Sequence, residues 1–564
     1  MKRILGVCGL LLGVAAGAGG QMQAASDPLA PLPVDPAVKS ALAGISADQV
    51  RADVEKLVSF GTRNTLSSMD TELPPGQGIN AAAAWIESEF QGISAQCGGC
   101  LEVKRDEFVE PAATGPHGRV PRPTKLVNVY AILHGTGGDK APWVLVTGHY
   151  DSRATDVMND KLTSPGANDD ASGVAVSIES ARALSGLPKA GVKLTGTMVF
   201  VAVAGEEQGL YGSRHLAQLA KAEGWPLEAV LNNDIVGGDT TPGESGQDKD
   251  AVRVFSESVP ATATPEQQQM MLGLGAENDS PSRELARQIA ELAPSYFKPT
   301  TEPPPAMKGG MMQGGAMQGG AMCPMMKDGA MKDGAMKDGA MKDGAMKDGT
   351  MKDGTMCPMM KDGTMKDGAM KDGMSCPMMK GGMMCPMMQK TAFHPVLVLR
   401  RDRYLRGGDH SSFNAEGFAA VRFTEWRENF DHQHQTLRTE SGVEFGDLLK
   451  FVDFNYVVKV ARLNALTLAS LAAAPSEPQD VRILTKALDN NSELTWDAAA
   501  FAPVGTTYEV VWRDTDAAQW THSQSAGSET HLKLDVSKDN VLFGVRAVSA
   551  AGDRSLPVPP LPAR

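Results

Sequence analysis

The chain has 564 residues, enough for three or four units at about 100–200 residues per domain. Its 54 Lys and Arg against 67 Asp and Glu leave a formal charge of −13, so no basic surplus exists to neutralise phosphates and no nucleic-acid partner is expected. Aromatic residues make up only 5% while 31 Met and 60 Gly stand out, which points to one biased segment inside an ordinary globular sequence.

Lys2 and Arg3 precede an apolar run from Ile4 to Ala16, and Met22-Gln23-Ala24 fits a small-x-small cleavage pattern. A bilayer span needs about 20 apolar residues, so residues 1–25 read as a secretory signal peptide, with an uncleaved anchor as the alternative. Cys8 follows Val7 inside the run and does not resemble a lipoprotein cysteine. No later stretch is read as long and apolar enough to span, so the mature chain is expected to be secreted or periplasmic, with no membrane span and with access to an oxidising compartment.

Residues 26–297 are expected to form the first part of a catalytic domain. Val50, Val54 and Leu57 recur at helical spacing, and Ala81 to Phe90 repeats the pattern. Cys97-Gly98-Gly99-Cys100 could serve redox or zinc chemistry, but no second ligand pair accompanies it, and a short structural disulfide is expected after export. From Leu126 to Val236 continuous apolar runs at Trp143–Thr147, Met198–Ala204 and Val230–Leu231 alternate with helix-like stretches such as Val174–Leu184. Strands buried on both faces between helices predict an α/β fold, a mixed and largely parallel sheet flanked by helices.

Residues 298–390 are low-complexity. Met-Lys-Asp-Gly-Ala/Thr repeats every five residues, Cys-Pro-Met-Met occurs at Cys323, Cys357, Cys376 and Cys385, and the stretch from Met307 to Met388 holds 24 of the 31 methionines. A period of five fits neither helix nor strand, so a disordered insert is expected. Thioethers and thiols are soft ligands that favour Cu(I), which makes copper or silver sequestration one reading and a flexible or oxidisable spacer the other. The insert joins an expected helix, Ser282–Ala293, to an expected strand, Val396–Arg400. Helix-to-strand connections enter strands at their amino ends, so the insert is expected on the side of the sheet away from the site.

Residues 391–474 return to globular sequence and close with an amphipathic helix over Phe451–Leu471. Pro475-Ser476-Glu477-Pro478 reads as a linker into residues 475–564. There, short strands at Val481–Leu484, Ser492–Trp496, Thr507–Trp512, His531–Leu534 and Val541–Val548 predict an all-β sandwich. Trp496, the strand Tyr508-Glu509-Val510-Val511-Trp512 and the strand Phe543-Gly544-Val545-Arg546-Ala547-Val548 resemble a fibronectin type III domain. Such a domain implies spacing, or a surface or polymer partner, rather than chemistry.

Five short segments place metal-type ligands just past apolar runs: Gly148-His149-Tyr150-Asp151-Ser152, Gly166-Ala167-Asn168-Asp169-Asp170-Ala171-Ser172-Gly173, Gly205-Glu206-Glu207, Asn232-Asn233-Asp234 and Gly407-Gly408-Asp409-His410-Ser411. In open α/β sheets, ligands bind beyond the carboxyl ends of the strands. Imidazole and carboxylate donors suit zinc, and His149, Asp169, Glu207, Asp234 and His410 supply enough of them for two ions that share one carboxylate. Glu206, beside Glu207, is a candidate for the carboxylate that stays off the metal and takes a proton from water. Any one of these residues alone would more often be a cap, a turn or a solvated charge.

In this order the segments resemble peptidase family 28, the secreted co-catalytic zinc exopeptidases of the bacterial leucyl aminopeptidase type, over residues 40–297 and 391–470. The third motif here is Glu206-Glu207-Gln208-Gly209-Leu210-Tyr211-Gly212-Ser213. The resemblance implies two zinc ions. Asp169 would bridge them, His149 and Asp234 would hold one, and Glu207 and His410 would complete the other. It further implies Glu206 as general base and Asp151 as the carboxylate that orients His149. Glutaminyl cyclases share the fold with a single zinc, and the full ligand set argues against that branch. The function implied is an exported aminopeptidase acting on peptides. The alternatives are a carboxypeptidase or dipeptidase on the same core, or a soft-metal-binding or adhesion protein using the core as a scaffold. Glu425 and the segment Glu428–His434, which follow the last motif, could line the pocket. His432 and His434 would share one face if that segment were a strand, with metal binding there as the minor reading and a structural role as the main one.

Overall fold

The computed structural model describes residues 27–298 and 392–564, apart from 114, 116–117, 244–245, 258–263, 267, 270–278, 401–406 and 488. The signal-peptide reading at residues 1–25 and nearly all of the Met-rich insert at 298–390 lie outside the described residues.

A two-residue strand, β1 (Asp27–Pro28), precedes helices α1 (Pro36–Ala43), α2 (Ala47–Val58) and α3 (Ile79–Cys97). Helix α2 begins where the Ser46 side chain accepts from the Gln49 amide, and it buries Val50, Val54 and Leu57 completely, as their spacing predicted. Cys97 at the end of α3 is disulfide-bonded to Cys100. Strands β2 (Leu101–Glu110), β3 (Thr124–Leu133) and β4 (Trp143–His149) follow, then α4 (Ala171–Leu184), β5 (Thr197–Val203), the single turn α5 (Glu206–Gly209), α6 (Tyr211–Ala222), β6 (Leu227–Asn233), β7 (Ala251–Phe255) and α7 (Pro281–Tyr296). Beyond the insert come β8 (His394–Val398), α8 (His410–Ala415), β9 (Ala420–Glu425), the hairpin β10 (Arg438–Glu440) and β11 (Val443–Phe445), and α9 (Phe454–Ala473).

Eight of these strands form one sheet in the order β2-β3-β5-β4-β6-β9-β7-β8. The central run β5-β4-β6-β9 is parallel, while β2-β3, β3-β5 and β7-β9 pair antiparallel. Strand alternation divides the core between two faces. Val144, Val146, Phe200 and Leu231 pack with α2, α3, α4, α7 and α9, while Leu145, Val201 and Val230 pack with Leu216 of α6 and Phe413 of α8. This double burial is why the strands read as unbroken apolar runs. Helix α9 is long and apolar enough to cross a membrane by length and composition, contrary to the sequence reading that no later stretch qualified. It is instead a core helix, with 83% of its most apolar window buried in the fold.

The expected direction of the strand that follows the insert needs correction, while the placement of the insert itself lies outside the described residues. Strand β7 runs antiparallel to β9, with Val252 opposite Glu425, and β8 runs parallel to β7, with Val252 opposite Pro395. The amino end of β8 therefore shares the sheet edge formed by the carboxyl ends of β6 and β9. The premise that β8 begins on the far edge fails because this strand is reversed. The described residues on either side of the insert meet through the rings of Phe297 and Phe393, 5.5 Å apart.

All five strands expected after residue 475 are present. β12 (Gln479–Leu484), β13 (Ser492–Asp497) and β16 (His531–Leu534) form one sheet with β18 (Leu561–Ala563). β14 (Thr507–Asp514), β15 (His522–Gly527) and β17 (Val541–Val548) form a second with β1. Leu494, Trp496, Val510, Trp512, Phe543 and Val545 make one core from both sheets. This sandwich is joined to α7 by buried ion pairs. Glu291 accepts from Arg546 at 2.7 Å and Arg554 at 2.8 Å, and Glu284 accepts from Trp520 Nε1 at 2.8 Å.

Candidate metal centre

The parallel strands β4, β5 and β6 end on one edge, and each delivers a donor there. β4 ends at His149, β5 leads through Gly205 into Glu206 and Glu207, and β6 leads into Asp234. Gly205 has φ +72°, a left-handed turn that costs glycine little and swings the two glutamates off the strand direction. At Gly148 a Cβ would lie 2.4 Å from the Gly173 backbone, so only glycine lets β4 approach the start of α4 this closely.

Asp170 fastens these segments together. Its carboxylate caps α4 through the Gly173 amide at 3.0 Å and also accepts from His149 N at 3.0 Å and Ile235 N at 3.3 Å. The preceding Asp169 is 5% exposed. Its Oδ1 lies 3.2 Å from His149 Nε2, and its Oδ2 lies 2.9 Å from His434 Nε2. Asp234 Oδ1 lies 4.0 Å from His149 Nε2, and Glu207 Oε1 lies 3.2 Å from His434 Nε2. Among the described residues, two donor clusters result, His149-Asp169-Asp234 and Asp169-Glu207-His434.

His434 stands where the sequence reading placed His410. His410 is fully buried at the start of α8, its Nε2 faces Glu257 Oε1 at 2.9 Å, and it joins neither cluster. His432 and His434 do not share a face, because the segment is a loop and His434 has φ +58°. His432 turns inward to Asp239 Oδ2 at 2.6 Å and stacks on Phe451 at 3.7 Å. The loop is pinned again by Thr436 N, which donates to Thr155 Oγ1 at 3.0 Å. Glu425 does not line the pocket: it is fully buried beneath the site and accepts from Asn168 Nδ2 and Asp239 N.

Asp151 sits behind His149, 3.5 Å from its Nδ1, while the backbone oxygen of Asp151 lies closer, at 3.2 Å. The Asp151 carboxylate also accepts from Glu206 N at 3.2 Å, Glu207 N at 3.1 Å and Thr65 Oγ1 at 3.0 Å. It therefore sets the pose of both glutamates as well as the histidine. Two supports escaped the sequence reading. Asp447 accepts from Asn168 N and Asp169 N, and buried Arg63 donates to the carbonyls of Tyr150, Pro165 and Gly166. Both are single residues distant in sequence, outside any periodic pattern.

Charge is unbalanced here. Asp151, Asp169, Asp170, Glu207, Asp234 and Asp409 are each at most 5% exposed, against the buried guanidiniums of Arg63 and Arg422. Burying such an excess is costly unless cations or protons offset it. Burial alone would lower the His434 pKa, but the carboxylates of Glu207 and Asp169 push it up to about 11. Burial would raise Asp169, yet His434 and His149 hold it well below the usual range. Burial pushes Glu206 well above its usual value; His149 opposes this, while Asp234, Glu207 and Asp409 add to it.

The donors fit zinc. Ligands at about 2.0–2.1 Å from a tetrahedral ion lie about 3.3 Å from one another, and the separations above run from 2.9 to 4.0 Å. A cleft of about 440 Å³ lies beside the His434 loop, bounded by Asp239, Trp426, Asn429 and Phe430.

Residues 128–281 match peptidase family M28. A protein of Pyrenophora teres f. teres named "Probable zinc metalloprotease" is 36% identical over 95% of this chain and 89% of its own length. Another so named, from Pyricularia oryzae, is 38% identical over 94% of this chain and 85% of its own. The crystal structure of the Legionella pneumophila LapA aminopeptidase is a looser match, with TM-score 0.41 and 16% identity over 84% of this chain and 77% of the other.

Proposed function

The chain belongs to peptidase family M28 and is a zinc metallopeptidase, and from that premise we propose that it is an exported aminopeptidase working with two zinc ions. The observation that carries the two-ion reading is Asp169, which presents one oxygen to His149 and the other to His434. In this reading His149, Asp169 and Asp234 would hold one ion, and Asp169, Glu207 and His434 would hold the other. Bound there, zinc supplies polarisation of the scissile carbonyl and acidification of water.

The protein's own groups do the rest. Glu206 keeps a partly exposed side chain beside Glu207, where its carboxylate can take the proton of the attacking water and return it to the leaving amine. Asp151 holds both glutamate amides and stands behind the His149 imidazole, so one buried carboxylate positions base and ligands together. Amino rather than carboxyl specificity rests on the resemblance of the ligand-bearing segments to the aminopeptidase type. Export is supported by the apolar start of the chain and the Cys97–Cys100 disulfide. We assign the C-terminal sandwich to the fibronectin type III kind. The Met- and Cys-rich insert is proposed as a separate Cu(I) site, and deletion of residues 298–390 should remove copper binding while leaving hydrolysis intact.

A panel of aminoacyl-arylamides and N-blocked peptides, assayed with and without a chelator beside Glu206→Gln, tests the reading. Chelator-sensitive cleavage of free-amine substrates, lost in the variant, is expected. Cleavage of N-blocked substrates alone would overturn the aminopeptidase assignment.

A further inference from the structure

Arg422 is an unexpected neighbour for a metal ligand. It lies on β9 opposite Asn232 of β6, two residues before Asp234, and is 3% exposed. Its Nη1 is 2.6 Å from Asp234 Oδ2, while Asp234 Oδ1 faces His149. The guanidinium is fixed independently, since Nε donates to Thr424 Oγ1 at 2.9 Å and Nη1 donates to the Gly407 carbonyl at 2.8 Å. The other cluster lacks such a partner among the described residues. Arg119 reaches the backbone oxygen of Glu207 at 2.8 Å, and the Glu207 carboxylate itself faces His434.

We infer that Arg422 is a positioning residue that makes the two ion positions unequal, confining Asp234 to one free oxygen and opposing a cation there, so that the His149–Asp234 position holds its metal more weakly. This rests on the two-ion reading. Two effects compete. Orienting a ligand usually strengthens binding, and loss of an outer partner typically costs about 10–100-fold in affinity. Here the outer partner is itself a cation, one carboxylate away from the ion and shielded from water, where like charges repel strongly. A metal arriving at Asp234 must also displace part of an existing ion pair. Repulsion and competition act in the same direction and outweigh orientation. Glu207, with no guanidinium on its carboxylate, lends its full charge to the other ion.

The test is a stepwise zinc titration of the metal-depleted full chain against a chromophoric chelator, comparing wild type with Arg422→Met, Arg422→Gln and Arg422→Lys. Wild type should take up two ions with distinct affinities. Arg422→Met should tighten the weaker step by about tenfold or more and leave the stronger one in place, and Arg422→Lys should stay close to wild type. Arg422→Gln removes the charge while keeping a donor, and serves the same comparison if the Met variant does not fold. Tightening cannot come from a merely structural role, because a loosened sheet would weaken both steps. If both charge-removing variants weaken the step or leave it unchanged, the inference is overturned alone. If wild type binds a single ion, the two-ion reading is overturned, and this inference with it.

Discussion

Two buried charge clusters in this chain differ in balance. Where α7 meets the C-terminal sandwich, Asp279, Glu284, Glu291 and Glu509 interleave with Arg287, Arg513, Arg546 and Arg554. Among these eight side chains carboxylates and guanidiniums match in number. At the carboxyl edge of the sheet, six buried carboxylates face two guanidiniums and two histidines. Balanced charge holds domains together, whereas unbalanced charge is a standing demand for cations. The difference separates structure from chemistry without reference to any motif.

The comparison can be broken most sharply at the unbalanced cluster. Glu206→Gln keeps the shape of the site and removes the proton acceptor, so peptide hydrolysis should fall by about 10²–10⁴-fold with the fold intact by circular dichroism. Exhaustive chelation should abolish activity, and zinc should restore it. In the balanced cluster the cost should appear as stability. Arg546 is fully buried between Glu291 and Glu509, and Arg546→Met leaves the single guanidinium of Arg554 to both carboxylates. A loss of about 3–5 kcal/mol in denaturant unfolding is expected. Zinc content should be unchanged in whatever fraction remains folded.

A smaller effect sharpens the contrast through pH. Among the described residues no cation pairs with the Glu425 carboxylate; burial raises its pKa from 4.5 to about 8, against the hydrogen bonds from Asn168 and Asp239. The folded state therefore holds this proton more tightly than the unfolded chain does. The stability it contributes is fully present below about pH 4.5 and is lost as pH rises towards 8. Melting temperatures across pH 5 to 9 should fall with rising pH. Glu425→Gln should flatten that slope, with a difference on the order of 1–3 kcal/mol at the alkaline end.

The parallel core could be read directly from the sequence because its strands are buried on both faces and show as apolar runs. His149, Asp169, Glu207 and Asp234 could be placed because each ends or follows such a run or, for Asp169, stands just before the Asp170 cap of the helix after one. His434 could not, since it sits in a loop at positive φ with no periodic pattern, and its pose depends on His432, Asp239 and Thr155. The glycines and Asp409 beside His410 gave that histidine a metal-like context, yet α8 turns it towards Glu257. The reversal of β7 and β8 escaped the same reading, because an apolar run carries no direction.

The most direct test is elemental analysis of the purified protein, with zinc counted per chain for wild type, His434→Ala and His410→Ala. The account predicts two zinc ions on wild type and on His410→Ala, and fewer on His434→Ala. A wild-type chain with a single ion would contradict it, as would zinc lost from His410→Ala but retained by His434→Ala.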